Sequence, residues 1–199
     1  MRHIHQLKGK RIAAEGGTLA AYFLSRILSK AQLSAVDIQV VNLPLHMHAE
    51  ALQNGRVDAS INHAPVHTQL GKIGLVPLFS SRDLPGEIID VLAINPQHSS
   101  PELHKRMRAL WFSSLETWLE HRSKTDPLAH KRLGLDAQSL PSTLNGIIMG
   151  DKALNKLYFE QGLLASRIKQ MQLYMLDSGL QKKSINTNQL LPSCIGSAC

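Results

Sequence analysis

The chain has 199 residues, 43% of them hydrophobic, which is enough to bury a core and excludes a mainly disordered chain. A net charge of +7 favours anionic ligands or acidic partners. Aromatic residues are only 5% and the basic residues form no long run, which argues against a nucleic-acid-binding surface.

No stretch approaches the roughly 18 consecutive apolar residues of a membrane span, so the chain is not expected to cross a membrane. The opening Met1-Arg2-His3-Ile4-His5-Gln6 lacks the apolar core of a signal peptide, so no export signal is expected. The only cysteines, Cys194 and Cys199, sit in the tail, where a disulfide would close too short a loop to stabilise much.

In chain order, Arg11-Ile12-Ala13-Ala14 predicts a first strand. Gly16-Gly17-Thr18 follows, and the spacing of Leu19, Phe23 and Ile27 predicts a helix to about Ala31. Residues 38–41 read as a second strand, 46–54 as a short helix stopped by Gly55, and 57–61 as a third strand. A helix is expected to open near Pro65, because proline suits a first helical turn. Residues 76–79 and 88–94 read as further strands. Strands alternating with helices at this spacing imply a parallel sheet with covered faces, an α/β fold.

The second half is helical. Ser99-Ser100-Pro101-Glu102 is a strong helix start, and the helix is expected to reach about His121. Its apolar stripe is Leu103, Met107, Leu110, Leu115, Trp118 and Leu119. Shorter helices are expected over 127–133 and 137–147, and a longer one over 160–178, ended by Gly179. From Gln181 onward the chain is polar and irregular. The expected division is an α/β ligand-binding lobe over 1–94 and a helical segment over 95–199.

Glu15-Gly16-Gly17-Thr18, between a strand and a helix, is the first candidate site. Glycines admit close backbone approach, the helix start offers unpaired N–H groups and partial positive charge, and threonine adds a hydroxyl. That combination suits a sulfonate, phosphate, nitrate or carboxylate. It is neither a Walker A loop nor a complete G-x-G-x-x-G. Ligands of open α/β sheets bind outside the carboxyl ends of the strands, which adds Asn42, Asn62 and His63 on the same edge.

The pairs His46/His48 and His63/His67 lack a third ligand at a recognised spacing, so no metal site is expected. There is no G-x-S-x-G elbow, the cysteines are peripheral, and Asp58 and Asp90 make no acid–base pair. Asp58 is expected to bond backbone groups near its strand. No catalytic residue and no cofactor are expected.

Leu7-Lys8-Gly9-Lys10-Arg11-Ile12 followed by Gly16-Gly17-Thr18 resembles the entry to the second lobe of the nitrate/sulfonate/taurine-type substrate-binding proteins of ABC importers. The resemblance continues through Val41-Asn42-Leu43-Pro44, the run from Ala51 to Ala59, Asp83-Leu84-Pro85-Gly86, the helix at 101–121, Lys131 to Leu135, and Leu176 to Leu180. It implies a type II periplasmic-binding-protein-like fold: two α/β lobes joined by a hinge, with a small anionic ligand caught between them. It also implies a periplasmic location and an ABC permease as partner. Gly16, Gly17 and Thr18 match the family loop that cradles the anionic group, and Asn42 the strand end facing the cleft.

Asn62 and His63 depart from the family, which shows an aromatic residue and then an acid there. An acid would pair with an amine, whereas a histidine hydrogen-bonds or carries charge near neutral pH. Only six residues precede the Leu-Lys-Gly-Lys segment, so the chain is expected to lack most of the family's first lobe, and its C-terminal helices are expected to expose apolar surface, pair with another chain or pack differently. Self-association, or a place in a longer polypeptide, is therefore expected. A sensory or effector-binding domain of the same fold is the alternative, as is thiamine-pyrimidine-precursor binding or synthesis, although the cysteine-rich signature of the synthases is absent.

Overall fold

The computed structural model describes residues 1–64, 66–133 and 139–191. It divides into two compact units, Met1–Pro85 with Met175–Lys182, and Gly86–Tyr174 with Lys183–Cys199. The first is the α/β unit. Strand β1 (Arg11–Ala14) lies between β2 (Gln39–Asn42) and β3 (Ala59–Ser60), parallel to both. Ile12 is in register with Val40 and Ala59, and Ala13 with Val41 and Ser60.

Ile12, Ala13 and Ala14 are all buried, the continuous apolar run of a central parallel strand covered on both faces. Successive strand residues point to opposite faces. Ile12 accordingly packs with Leu7, Leu24, Ile27 and Leu28, while Ala13 packs with Leu43, Ala51 and Val57. Helix α1 (Thr18–Lys30) supplies most of the first cluster and α2 (His48–Gln53) part of the second. Phe23 of α1 meets Phe79 with ring centroids 5.7 Å apart. Leu19, expected on the buried stripe of α1, is instead 58% exposed, and Tyr22, Leu24, Ile27 and Leu28 are buried.

The helix expected over 46–54 is a 3-10 turn, Leu45–Met47, running into α2. Gly55 follows at φ +64°, a left-handed conformation that stops the helix. Helix α3 (Val66–Lys72) completes this unit's α-helices before Pro85, while Pro65 itself lies outside the described residues. The two further strands do not form. Val91 and Leu92 are 59% and 62% exposed, and among the described residues no neighbouring strand offers residues 88–94 its backbone hydrogen bonds. Apolar, β-prone sequence without a partner strand stays irregular.

The second unit holds α4 (Pro101–Glu120), α5 (Arg122–Leu133), α6 (Ser139–Leu144), α7 (Lys152–Asn155) and most of α8 (Leu163–Asp177). Ser100 caps α4 by accepting the Leu103 N–H at 3.2 Å, with Pro101 and Glu102 in the first turn, as the sequence predicts. On the predicted stripe Leu115 is buried, but Leu103, Leu110 and Leu119 are 40–59% exposed. Apolar surface is thus left open on α4.

Helix α5 starts five residues before Pro127, because Arg122 and Asp126 form a bidentate pair one turn apart (2.7 and 2.9 Å) that carries the first turn. The last helix starts at Leu163 rather than near residue 160. Gly162 sits at φ +75°, and Lys156–Glu160 before it forms a single π-helical turn. Gly179, at φ +73°, ends α8 where expected. Residues 137 and 138 of the helix predicted over 137–147, and both cysteines, lie outside the described residues. Among the described residues no helix is long and apolar enough to cross a membrane.

Candidate functional site

Because all three strands are parallel, Ala14, Asn42 and Ser60 end at one edge of the sheet. That edge and the segments leaving it carry all six residues expected to bind a ligand. Gly16, Gly17 and Thr18 are exposed. Gly17 precedes α1 in an extended conformation and has no side chain to cap it, and the first turn holds no acidic residue. The Ala21 N–H reaches the Gly17 carbonyl at 3.2 Å. The amides of Thr18, Leu19 and Ala20 therefore have no acceptor inside the helix, and the positive end of α1 is uncompensated by any carboxylate of its first turn.

Asn42 lies against this turn. A Cβ placed on Gly16 would meet the Asn42 Oδ1 at 3.4 Å and Nδ2 at 3.5 Å. The sheet register accounts for the contact, since Asn42 pairs with Ala14, two residues before Gly16. Asn62 and His63 stand at the end of β3 but bond within their own turn. The Asn62 amide donates to Ser60 Oγ at 2.9 Å. The His63 Nδ1 donates to the Ala64 carbonyl at 2.8 Å, which places the proton on Nδ1 and leaves Nε2 for another partner. The structure thus brings Asn42 to the glycine turn, and among the described residues no hydrogen bond joins Asn62 or His63 to it.

Glu15 has a role the sequence reading did not assign. Its Oε1 accepts the Leu45 N–H at 3.2 Å and so ties the start of the glycine turn to the segment after β2. The only signal for it was an acid directly before the two glycines. Asp58 bonds backbone as expected, accepting the Arg11 N–H at 2.9 Å, but it does so at the amino end of β1, away from the site.

The two rings of the His46/His48 pair sit in different surroundings. His48 is fully buried with Nε2 donating to the Leu43 carbonyl at 3.0 Å, whereas His46 is exposed. No cluster of three potential metal ligands occurs among the described residues. A hollow of about 310 Å³ between α4 and α7, lined by Phe112, Leu115, Leu119 and the Glu116–Lys152 ion pair, involves none of the six.

Residues 1–84 match the family model described as NMT1/THI5 like. No curated protein matches the chain. Among solved structures it resembles the periplasmic aliphatic sulphonate binding protein SsuA from Escherichia coli, with a TM-score of 0.73 and 21% identity, over 96% of this chain and 64% of that one. The alkanesulfonate-binding protein SsuA from Xanthomonas axonopodis pv. citri, bound to MOPS, follows at 0.63 and 20%, over 96% and 65%. The chain has the fold of the periplasmic sulfonate-binding proteins.

The resemblance to the nitrate/sulfonate/taurine type is thereby borne out, as is the α/β, periplasmic-binding-protein-like architecture. The chain spans less than two thirds of the length of these two proteins. The desulfurization enzyme DSZB, solved as a mutant in complex with biphenyl-2-sulfinic acid, is similar at a TM-score of 0.60 and 15% identity, over 96% of this chain and 70% of that one. A fold shared by binding proteins and an enzyme does not decide between them, and function has to be argued from the site.

Proposed function

We propose that this chain is a non-catalytic solute-binding component that captures a small sulfonate-like anion at the start of α1 and works with an ABC permease in the periplasm. The observation that carries this reading is the exposed, uncapped helix start at Gly16, Gly17 and Thr18. Its three amides and the Thr18 hydroxyl suit the oxygens of a sulfonate, and the helix dipole favours the negative charge. Asn42 against Gly16 adds an amide donor at the rim. Asn62 and His63 are assigned to the same edge, with His63 Nε2 as the contacting atom.

The ligands of two fold neighbours support the chemical class. MOPS and biphenyl-2-sulfinic acid each carry a sulfur oxyanion. The test is a thermal-shift and calorimetry screen with methanesulfonate, longer alkanesulfonates, taurine and nitrate. A true ligand raises the melting temperature by mass action, and chromatography recovers it unchanged. Absence of a shift with every anion, or conversion of the added compound, would overturn the reading.

A further inference from the structure

Among the described residues of the helical unit, Arg167 is a cation with no carboxylate partner. Arg167, in the first half of α8, has a buried Nε that meets no hydrogen-bond acceptor. Its Nη1 donates to Gln170 Oε1 at 3.2 Å, a neutral partner. No carboxylate pairs with it among the described residues. A guanidinium has five N–H donors, and a partly buried charge left unmatched is costly.

Two neighbours lie close to it. Gly86, at φ +75°, lies so close that a Cβ there would come within 3.0 Å of Arg167 Nε, 3.5 Å of its Cζ and 3.3 Å of the Tyr158 hydroxyl. Glycine at this position therefore lets the guanidinium and the phenol crowd against one stretch of backbone. The Tyr158 hydroxyl, like most donors of Arg167, has no partner among the described residues. A fork of N–H groups with an O–H beside it matches the oxygens of a carboxylate, sulfonate or phosphate and is poorly matched to a halide.

We propose that Arg167 and Tyr158, seated over Gly86, form a second oxyanion site, separate from the glycine turn at the start of α1. The site is built wholly within the helical unit and does not depend on the function proposed above.

The test follows the arginine Nε–H resonances of the full-length ¹⁵N-labelled chain during titration with methanesulfonate, phosphate or acetate, at ionic strength held constant with sodium chloride. The peak missing from the R167Q spectrum is expected to move saturably with at least one of the three, and the best of them identifies the ligand class. Y158F should weaken that titration about tenfold, the worth of one hydrogen bond to a charged group. R167K, which keeps the charge but loses the fork, should weaken it as well. T18E, which places a carboxylate at the start of α1, should leave it unchanged.

A stationary peak in all three anions, or an equal response to chloride, would overturn the proposal. So would loss of the response in T18E, because the two sites would then be one. A peak that moves with protein concentration in the absence of added anion would also overturn it, since a carboxylate of a second copy would then be the partner.

Discussion

Arg11 and Asp58 close the amino end of the sheet by three hydrogen bonds. Asp58 Oδ2 accepts both the Arg11 backbone N–H (2.9 Å) and Nε (3.1 Å), and Oδ1 accepts Nη2 at 3.0 Å. One side chain thus matches the first amide of β1 and the charge of the residue that carries it. The same Arg11 Nη2 reaches the Gly55 carbonyl at 2.8 Å, so the turn after α2 is held too.

This pair is expected to make the stability of the α/β unit depend on acid pH. The Arg11 side-chain and backbone donors hold the Asp58 carboxyl down from 3.8 to about 2. Its folded-state value is depressed, so its stabilisation is present above the unfolded value and is lost as pH falls through the folded one. Stability measured by urea unfolding should therefore fall between about pH 5 and pH 2. Both side chains keep contact with solvent, at 40% and 29% exposure. With that screening, Asp58→Asn should cost about 1–2 kcal/mol at pH 7 and flatten the acid slope. An equally steep slope in the variant would show that other carboxylates control it.

Asn42→Asp tests the anion reading at one atom's change. The substitution keeps the side-chain shape beside Gly16 and replaces an amide donor with a negative charge. Binding of a sulfonate at the α1 start should weaken by about tenfold or more at neutral pH, since a like charge a few ångströms away opposes the ligand by about 1 kcal/mol or more. Melting temperature without ligand should change little, because Asn42 ends an edge strand and is exposed. Calorimetry with methanesulfonate reads the outcome, and undiminished affinity would remove Asn42 from the site.

His48 shows how a histidine serves packing. It is a buried polar residue of the α/β core, and its Nε2 bond to Leu43 ties the end of β2 to α2. His48→Ala should destabilise by about 2–4 kcal/mol, through a cavity and an unmatched Leu43 carbonyl. Equilibrium urea unfolding measures it. Replacement of the neighbouring exposed His46 should have almost no effect.

The α/β unit was legible where one strand's sequence carried its own evidence. Arg11-Ile12-Ala13-Ala14 announced a strand, and Gly55 and Gly179 announced helix ends. Residues 88–94 misled because a strand is a property of a pair, and apolar alternation cannot report whether a partner exists. The Arg122–Asp126 pair was missed because Pro127 looked like a helix start, although a bidentate ion pair carries the turn before it. At the site, the parallel topology followed from the alternation of elements and put Asn42, Asn62 and His63 on one edge. The sequence could not show that Asn62 and His63 spend hydrogen bonds on Ser60 and Ala64. Those contacts depend on rotamers that sequence spacing does not encode.

The Trp118–Asp126–Arg122 cluster offers an optical reading of protonation in the helical unit. Asp126 Oδ1 accepts Trp118 Nε1–H at 2.8 Å and Arg122 Nε at 2.7 Å, and the guanidinium lies 5.3 Å from the Trp118 ring centroid. Arg122, and to a lesser degree Trp118, lowers the Asp126 carboxyl below its usual value. The ionised form is the one that accepts both donors. The arrangement is therefore complete above the ordinary carboxylate range and comes apart as pH falls through the lowered value. In a Trp111→Phe background, where Trp118 is the remaining indole, emission should change along a single titration centred below 3.8. Asp126→Asn should remove that transition and leave the spectrum independent of pH from about 5 to 2. A midpoint at or above the unperturbed value would mean that Arg122 does not engage the carboxylate in solution.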